Sequence, residues 1–85
     1  MTQFYYFTAV WCQPCRMYKP VVEQVTGELG IPMQFIDVDQ NPHLTQKYDI
    51  RSVPTVVVAQ QGQPIYRNTG VTSKQQLTQI LSQFK

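Results

Sequence analysis

Apolar and polar positions along the chain follow two periods, one of a strand and one of a helix. Phe4–Thr8, FYYFT, is aromatic and β-branched and predicts a strand. Strand alternation puts Phe4, Tyr6 and Thr8 on one face and Tyr5 and Phe7 on the other. Tyr18, Val21, Val22, Val25 and Leu29 then fall on the single stripe of an amphipathic helix. That helix should begin near Cys12 and end around Gly27 to Gly30, with Pro32 beyond. Pro20 lies inside it and should kink it, because it has no N–H for the Arg16 carbonyl. Met33–Val38 predicts a second strand, parallel to the first in a βαβ unit.

The second half is built from shorter pieces. Asn41 is a good N-cap residue and Pro42 suits a first helical position, so a short helix should run to about Tyr48. Thr55–Ala59, TVVVA, predicts a third strand, and Gln60–Gln63 a turn around Gly62. Pro64–Asn68 predicts the returning strand, with Pro64 at its start. Ser73 with Gln76 has the pattern of a capping box, opening a helix whose stripe is Leu77, Ile80, Leu81 and Phe84. The order βαβαββα implies an α/β fold: a four-stranded mixed sheet with helices on both faces, in one domain over residues 1–85.

Charge narrows the function classes. Seven Lys and Arg against five Asp and Glu are scattered, leaving a net charge of +2. No basic run provides a footprint for nucleic acid or a membrane surface. The longest apolar stretch, Val53–Ala59, is far too short to span a bilayer. The opening MTQFYYFTAV has no basic n-region and no small-residue cleavage site, so it reads as structure and the cytoplasm is the expected compartment. In a reducing compartment, a close cysteine pair points to catalysis or metal rather than to a staple.

Both cysteines, Cys12 and Cys15, lie in AVWCQPCRM. Three residues apart at a helix start, their Cα atoms should be roughly 5 to 6 Å apart, within reach of a disulfide. Structural zinc takes four ligands. The chain offers two cysteines and one histidine, His43, so no metal is assigned, although a site shared in a dimer stays formally open. A staple across so short a loop would stabilise little. Reversible redox chemistry fits best. Cys12, at the helix N-terminus where free N–H groups favour an anion, is the expected solvent-accessible nucleophile. Cys15, one turn in, is the expected buried resolving thiol. Asp37, Asp39 and His43 read as solvated surface residues.

WCQPC resembles the Trp-Cys-Gly-Pro-Cys of the thioredoxin family, with Gln13 at the usual glycine. KYDIRSVPT resembles the segment that ends in that family's cis-proline, and DQNP, Pro20, Gly62 and GVTSKQQL fall in family order. The resemblance runs from about Phe4 to Phe84. It implies a thioredoxin-like fold and a protein-disulfide reductase that works through a Cys12/Cys15 dithiol–disulfide cycle. It implies no cofactor beyond that pair, protein disulfides as substrates, a thioredoxin reductase as electron donor, and a monomer. Trp11 would shield the disulfide and, with Gln13 and Pro14, form part of the docking surface. Pro14 would also favour the reduced form. Pro54 would be cis beside the cysteines, the Val53 backbone would pair with an extended substrate segment, and Gly70 and Val71 would complete the apolar docking patch. Tyr6 and Thr55 occupy supporting positions.

The chain also departs from the family. It looks like a short, glutaredoxin-sized version, without the strand and helix that precede the motif strand in full-length thioredoxins. Tyr6 stands where a buried aspartate is usual and Phe35 where its lysine partner is usual. Thr8 replaces a common second tryptophan. Losing both buried charges is coherent, since one without the other would be costly. The length suggests a glutathione-dependent, glutaredoxin-like enzyme as an alternative. Gly70-Val71-Thr72-Ser73, however, lacks the acid of the glutathione segment. A thioredoxin-fold binding subunit of a larger complex is the alternative from another class.

Overall fold

In the computed structural model, which describes residues 1–85, the aromatic run forms strand β1 (Thr2–Thr8) at the centre of the sheet. Helix α1 (Gln13–Leu29) follows, then β2 (Met33–Asp37), helix α2 (Pro42–Lys47), β3 (Thr55–Gln60), β4 (Gln63–Thr69) and helix α3 (Lys74–Ser82). The sheet order is β2-β1-β3-β4. β1 pairs parallel with β2 and antiparallel with β3, and β3 pairs antiparallel with β4. This is the four-stranded mixed sheet that the element order implies, and the thioredoxin-like architecture that the motif resemblance implies.

The alternation in β1 divides the core as expected. Phe4 and Tyr6 pack with Tyr18, Val22 and Val25 of α1, Val56 and Val58 of β3, and Leu77 and Leu81 of α3. Tyr5 and Phe7 face the other way, against Ile36, Tyr48, Val57 and Ala59, with Leu44 of α2 beside them. Helices therefore cover both faces: α1 and α3 on one, α2 on the other. Ile80 and Phe84 are half-buried rather than fully in the stripe, and Phe84, beyond the end of α3, stacks its ring 5.6 Å from Tyr66.

The helix ends follow local chemistry. α1 continues through Pro20 and stops at Gly30, whose positive φ of 70° suits glycine. The Ile31 N–H closes the end by donating to the Thr26 carbonyl at 2.9 Å. Asn41 occupies the N-cap position of α2, but its side chain does not cap. Its amide instead donates to the Asp37 carbonyl at 3.1 Å, and Asp37 Oδ1 accepts the Asp39 and Gln40 N–H groups. The end of β2 is thus tied to the start of α2 by an Asx turn. β3 and β4 join through Gln61 and Gly62, both with positive φ, the backbone of a two-residue hairpin turn.

The capping box at α3 is complete. Ser73 Oγ accepts the Gln76 N–H at 3.1 Å and Gln76 Oε1 accepts the Ser73 N–H at 3.2 Å. Ser73→Ala should therefore lower the unfolding free energy by about 1 kcal/mol, and Ser73→Asp should retain most of it. Urea denaturation of the oxidised protein, followed by far-ultraviolet circular dichroism, measures both.

Candidate functional site: a helix-terminal disulfide

β1 ends at Thr8, and a short turn, in which the Cys12 N–H donates to the Ala9 carbonyl at 3.1 Å, delivers the chain to α1. Cys12 is the N-cap of that helix, with extended backbone, and Pro14 stands in its first turn. Cys12 and Cys15 are joined as a disulfide with Cα atoms 5.3 Å apart. The Cys15 N–H donates to Cys12 Sγ at 3.2 Å. That donor would hold a thiolate at Cys12 once the bond is reduced, as a side-chain acceptor normally serves a helix cap. No acidic residue lies in the first turn to oppose it.

Exposure separates the two sulfur-bearing residues less than expected. Cys15 is fully buried, whereas Cys12 is 5% exposed and not openly accessible in the oxidised form. The reason is packing: Ala9, Cys12 and Cys15 form a small apolar cluster roofed by Val38 and Val53. Cys12 Sγ lies 3.8 Å from the Val53 carbonyl oxygen.

The Val53–Pro54 bond is cis. Thr55 secures this turn, its hydroxyl donating to the Ser52 carbonyl at 2.8 Å and lying 3.2 Å from Thr69 Oγ1. Gly70, with a φ of 98°, donates its N–H to the Pro54 carbonyl at 2.9 Å. Two segments sixteen residues apart in sequence are thereby joined beside the cysteines, and Val71 projects from the second of them, 58% exposed. Gln13 is exposed, and its Oε1 accepts from Arg16 Nη2 at 2.6 Å.

Trp11 stands 67% exposed beside the disulfide, yet it is not free: its Nε1 donates to Asp39 Oδ2 at 2.8 Å. Asp39 is therefore more than a solvated loop residue. The signal for this lay in the topology. Parallel β1 and β2 end side by side, so the residues just beyond each end come together.

Tyr6 lies in register with Phe35, and their rings meet edge to face at 5.6 Å. Lys19 Nζ sits 5.4 Å from the centre of the Phe35 ring. Where the resemblance implies a buried ion pair, the chain has an aromatic pair with a cation over its outer ring. The Tyr6 hydroxyl donates to the Cys15 carbonyl at 2.8 Å, so it touches the helix backbone rather than the sulfur. Burial, with a smaller contribution from neighbouring Tyr18, pushes the Tyr6 phenol up to about 12.

This fold, with a disulfide at the helix N-terminus and a cis-proline turn against it, defines a thiol–disulfide oxidoreductase. The thioredoxin family model matches residues 3–83, and the chain belongs to the thioredoxin family. It is 44% identical over 80 residues to a thioredoxin-like protein of Synechocystis, covering 92% of this chain and 76% of that one. It is 36% identical over 77 residues to thioredoxin of Staphylococcus epidermidis, covering 88% and 74%. Among solved structures, a mutant thioredoxin from Halobacterium salinarum superposes with a TM-score of 0.88 at 31% identity, over 98% of this chain and 74% of that one. The germline-specific thioredoxin Deadhead of Drosophila melanogaster superposes with a TM-score of 0.87 at 27% identity, over 99% and 81%.

Two outcomes follow for Tyr6. Its folded value near 12 lies above the ordinary 10, so the folded state keeps the proton longer. The stabilisation is complete below pH 10 and is lost as pH rises toward 12, when the unfolded chain ionises first. Burial also raises Tyr5 and Tyr66, so tyrosinate absorbance should show several tyrosines titrating late, and Tyr6→Phe should remove one of them, near pH 12. The same variant should slow resolution of the mixed disulfide by less than about tenfold, because no ionised base is lost at neutral pH. Stopped-flow measurement across pH reads that step, and a hundredfold loss in a folded variant would assign the hydroxyl a direct role.

Proposed function

We propose that this chain is a reductase of protein disulfides, using Cys12 as nucleophile and Cys15 as resolving thiol. The observation that carries this reading is the Cys15 N–H directed at Cys12 Sγ at the N-cap of α1, because it favours the thiolate at Cys12 alone. Cys12 thiolate attacks one sulfur of a substrate disulfide. A mixed disulfide forms, and the other substrate sulfur leaves as a thiolate that takes up a proton. Deprotonated Cys15 then attacks Cys12 Sγ. The second substrate thiol departs, and two electrons have passed to the substrate. What remains is the Cys12–Cys15 disulfide, the state in which the protein is seen here.

The remaining residues bind and orient. The Val53 carbonyl, 3.8 Å from Cys12 Sγ, lies where an extended substrate segment would add a strand-like hydrogen bond as it presents its disulfide. Trp11, Gln13, Pro14, Gly70 and Val71 supply the apolar and backbone contacts around it, and Tyr6 and Thr55 support the two segments from below. Pro14, lacking an N–H, preorganises the first turn for the dithiol. The family generally reduces protein disulfides with electrons from thioredoxin reductase, and we assign that donor here. No cofactor besides the cysteine pair is required, and a cytoplasmic monomer is the working form. No helix of the chain is long and apolar enough to cross a membrane.

Insulin-disulfide reduction coupled to NADPH through a thioredoxin reductase tests this. The wild type should turn over, glutathione should not replace the reductase, and Cys12→Ser/Cys15→Ser should fall to background. Turnover with glutathione alone would assign the glutaredoxin-like alternative, and a binding role retained by the double variant with no wild-type reduction would assign the structural one.

A further inference from the structure

Tyr18 lies one helical turn beyond Cys15, is 2% exposed, and rests its ring 6.0 Å from that of Tyr6. Its hydroxyl is hydrogen-bonded to Thr72 Oγ1 at 2.6 Å, across 54 residues of sequence. Thr72 sits between exposed Val71 and Ser73, the N-cap of α3. The loop after β4 is therefore held at two points. Gly70 is bonded to Pro54 beside the disulfide, and Thr72 is bonded to the helix that carries Cys15. Val71 is left projecting between these anchors.

A groove of about 450 Å³ runs from Gln13 and Pro14 between this loop and α1, with Met17, Tyr18, Val21 and Val71 as its apolar lining. It is distinct from the smaller groove of about 110 Å³ beside Trp11 and Val53. Lys74 at its rim is paired with Glu28 at 3.4 Å, so the groove has no unopposed cation to select an anion. Its chemistry fits an apolar side chain near the disulfide of an extended polypeptide.

We propose that the Tyr18–Thr72 hydrogen bond determines specificity for polypeptide disulfides by fixing the width of this groove and the seat of Val71. Tyr18 and Thr72 are positioning residues: neither touches the reacting sulfurs. The proposal rests on the reading of the site as a protein-disulfide reductase. Without the bond, the loop keeps its Gly70 anchor but loses its tie to α1. A polypeptide would then pay the ordering of the loop on binding, while a small disulfide that reaches Cys12 alone would not.

Insulin and a small aromatic disulfide, 5,5′-dithiobis(2-nitrobenzoate), used side by side as substrates, separate the two effects. Tyr18→Phe and Thr72→Val should each raise KM for insulin by about three- to tenfold, the range of one lost hydrogen bond, with kcat changed less than about twofold. The rate with the small disulfide should not change. Thr72→Ser should restore the wild-type KM, and the double variant should be no worse than either single one. An unchanged insulin KM in either folded single variant overturns the proposal, as does equal loss on both substrates or additive losses in the double variant. Should Tyr18→Phe fail to fold, Thr72→Val at its half-buried loop position decides alone. Wild-type protein that reduces the small disulfide but not insulin would overturn the functional reading itself.

Discussion

The site hangs on the N-cap of α1. An N-cap side chain ordinarily accepts a backbone N–H left without a partner by the helix geometry. Here the accepting atom is a sulfur, and the donor belongs to the cysteine that is its disulfide partner. One hydrogen bond thus closes the helix, lowers the cost of an anion at Cys12, and sets Cys15 at disulfide distance. The arrangement requires that the first turn stay in place through both redox states. β1 enters that turn directly, Tyr6 bonds the Cys15 carbonyl from beneath, and Val38 and Val53 close over the sulfurs. The fold is a platform for one turn of helix.

Replacing a buried ion pair with Tyr6 and Phe35 changes the chemistry under that turn without opening it. A carboxylate there would need its cation, since an unpaired buried charge is strongly destabilising. A phenol needs only an acceptor, and the Cys15 carbonyl provides one at 2.8 Å. The phenol stays neutral until strongly alkaline pH, so it can steady the helix but cannot take the Cys15 proton as a base near neutrality. Lys19 stands over the outer face of Phe35, where its charge lies beside the groove lined by Cys15 and Asp37. Charge in this region thus sits at the rim rather than inside the core, consistent with the cost of burying it.

Local rules make the elements legible in the sequence itself. The alternation of Phe4 to Thr8, the stripe from Tyr18 to Leu29 and the Ser73–Gln76 pair each carry their meaning within a few residues, and each element lies where they imply. Strand ends differ by a residue or two, as at β4, because a strand's last pairs are set by its neighbour rather than by its own side chains. Asn41 shows where a local rule gives way. Its composition suits a cap, but the Asp37 carbonyl competes for its amide, and Pro42 leaves one fewer N–H to satisfy. The cysteine spacing and the cis-proline segment were legible because the motif residues are contiguous. Asp39, Tyr18 and Thr72 were not, because their partners lie 28 and 54 residues away and only the folded topology brings them together.

That topology also explains why the contacts around the disulfide are made by loops that never meet in sequence. β1 and β2 run parallel, so Trp11 and Asp39 follow strands that finish at the same end of the sheet. β3 begins where β4 ends, so Pro54 and Gly70 meet across the top of an antiparallel pair. The helix between β1 and β2 then places Tyr18 beneath the second of these junctions. Each tether is a single hydrogen bond of modest strength: two join loops at the ends of neighbouring strands, and the third joins the loop after β4 to α1, which core packing already fixes. Rigidity at the sulfurs is therefore supplied by the sheet and transmitted through three contacts, while the outer faces of Trp11 and Val71 stay exposed for a partner. The tethers hold the surroundings of the disulfide, while the hydrogen bond at the N-cap acts on the sulfur itself, so the two sets of contacts are structurally separate.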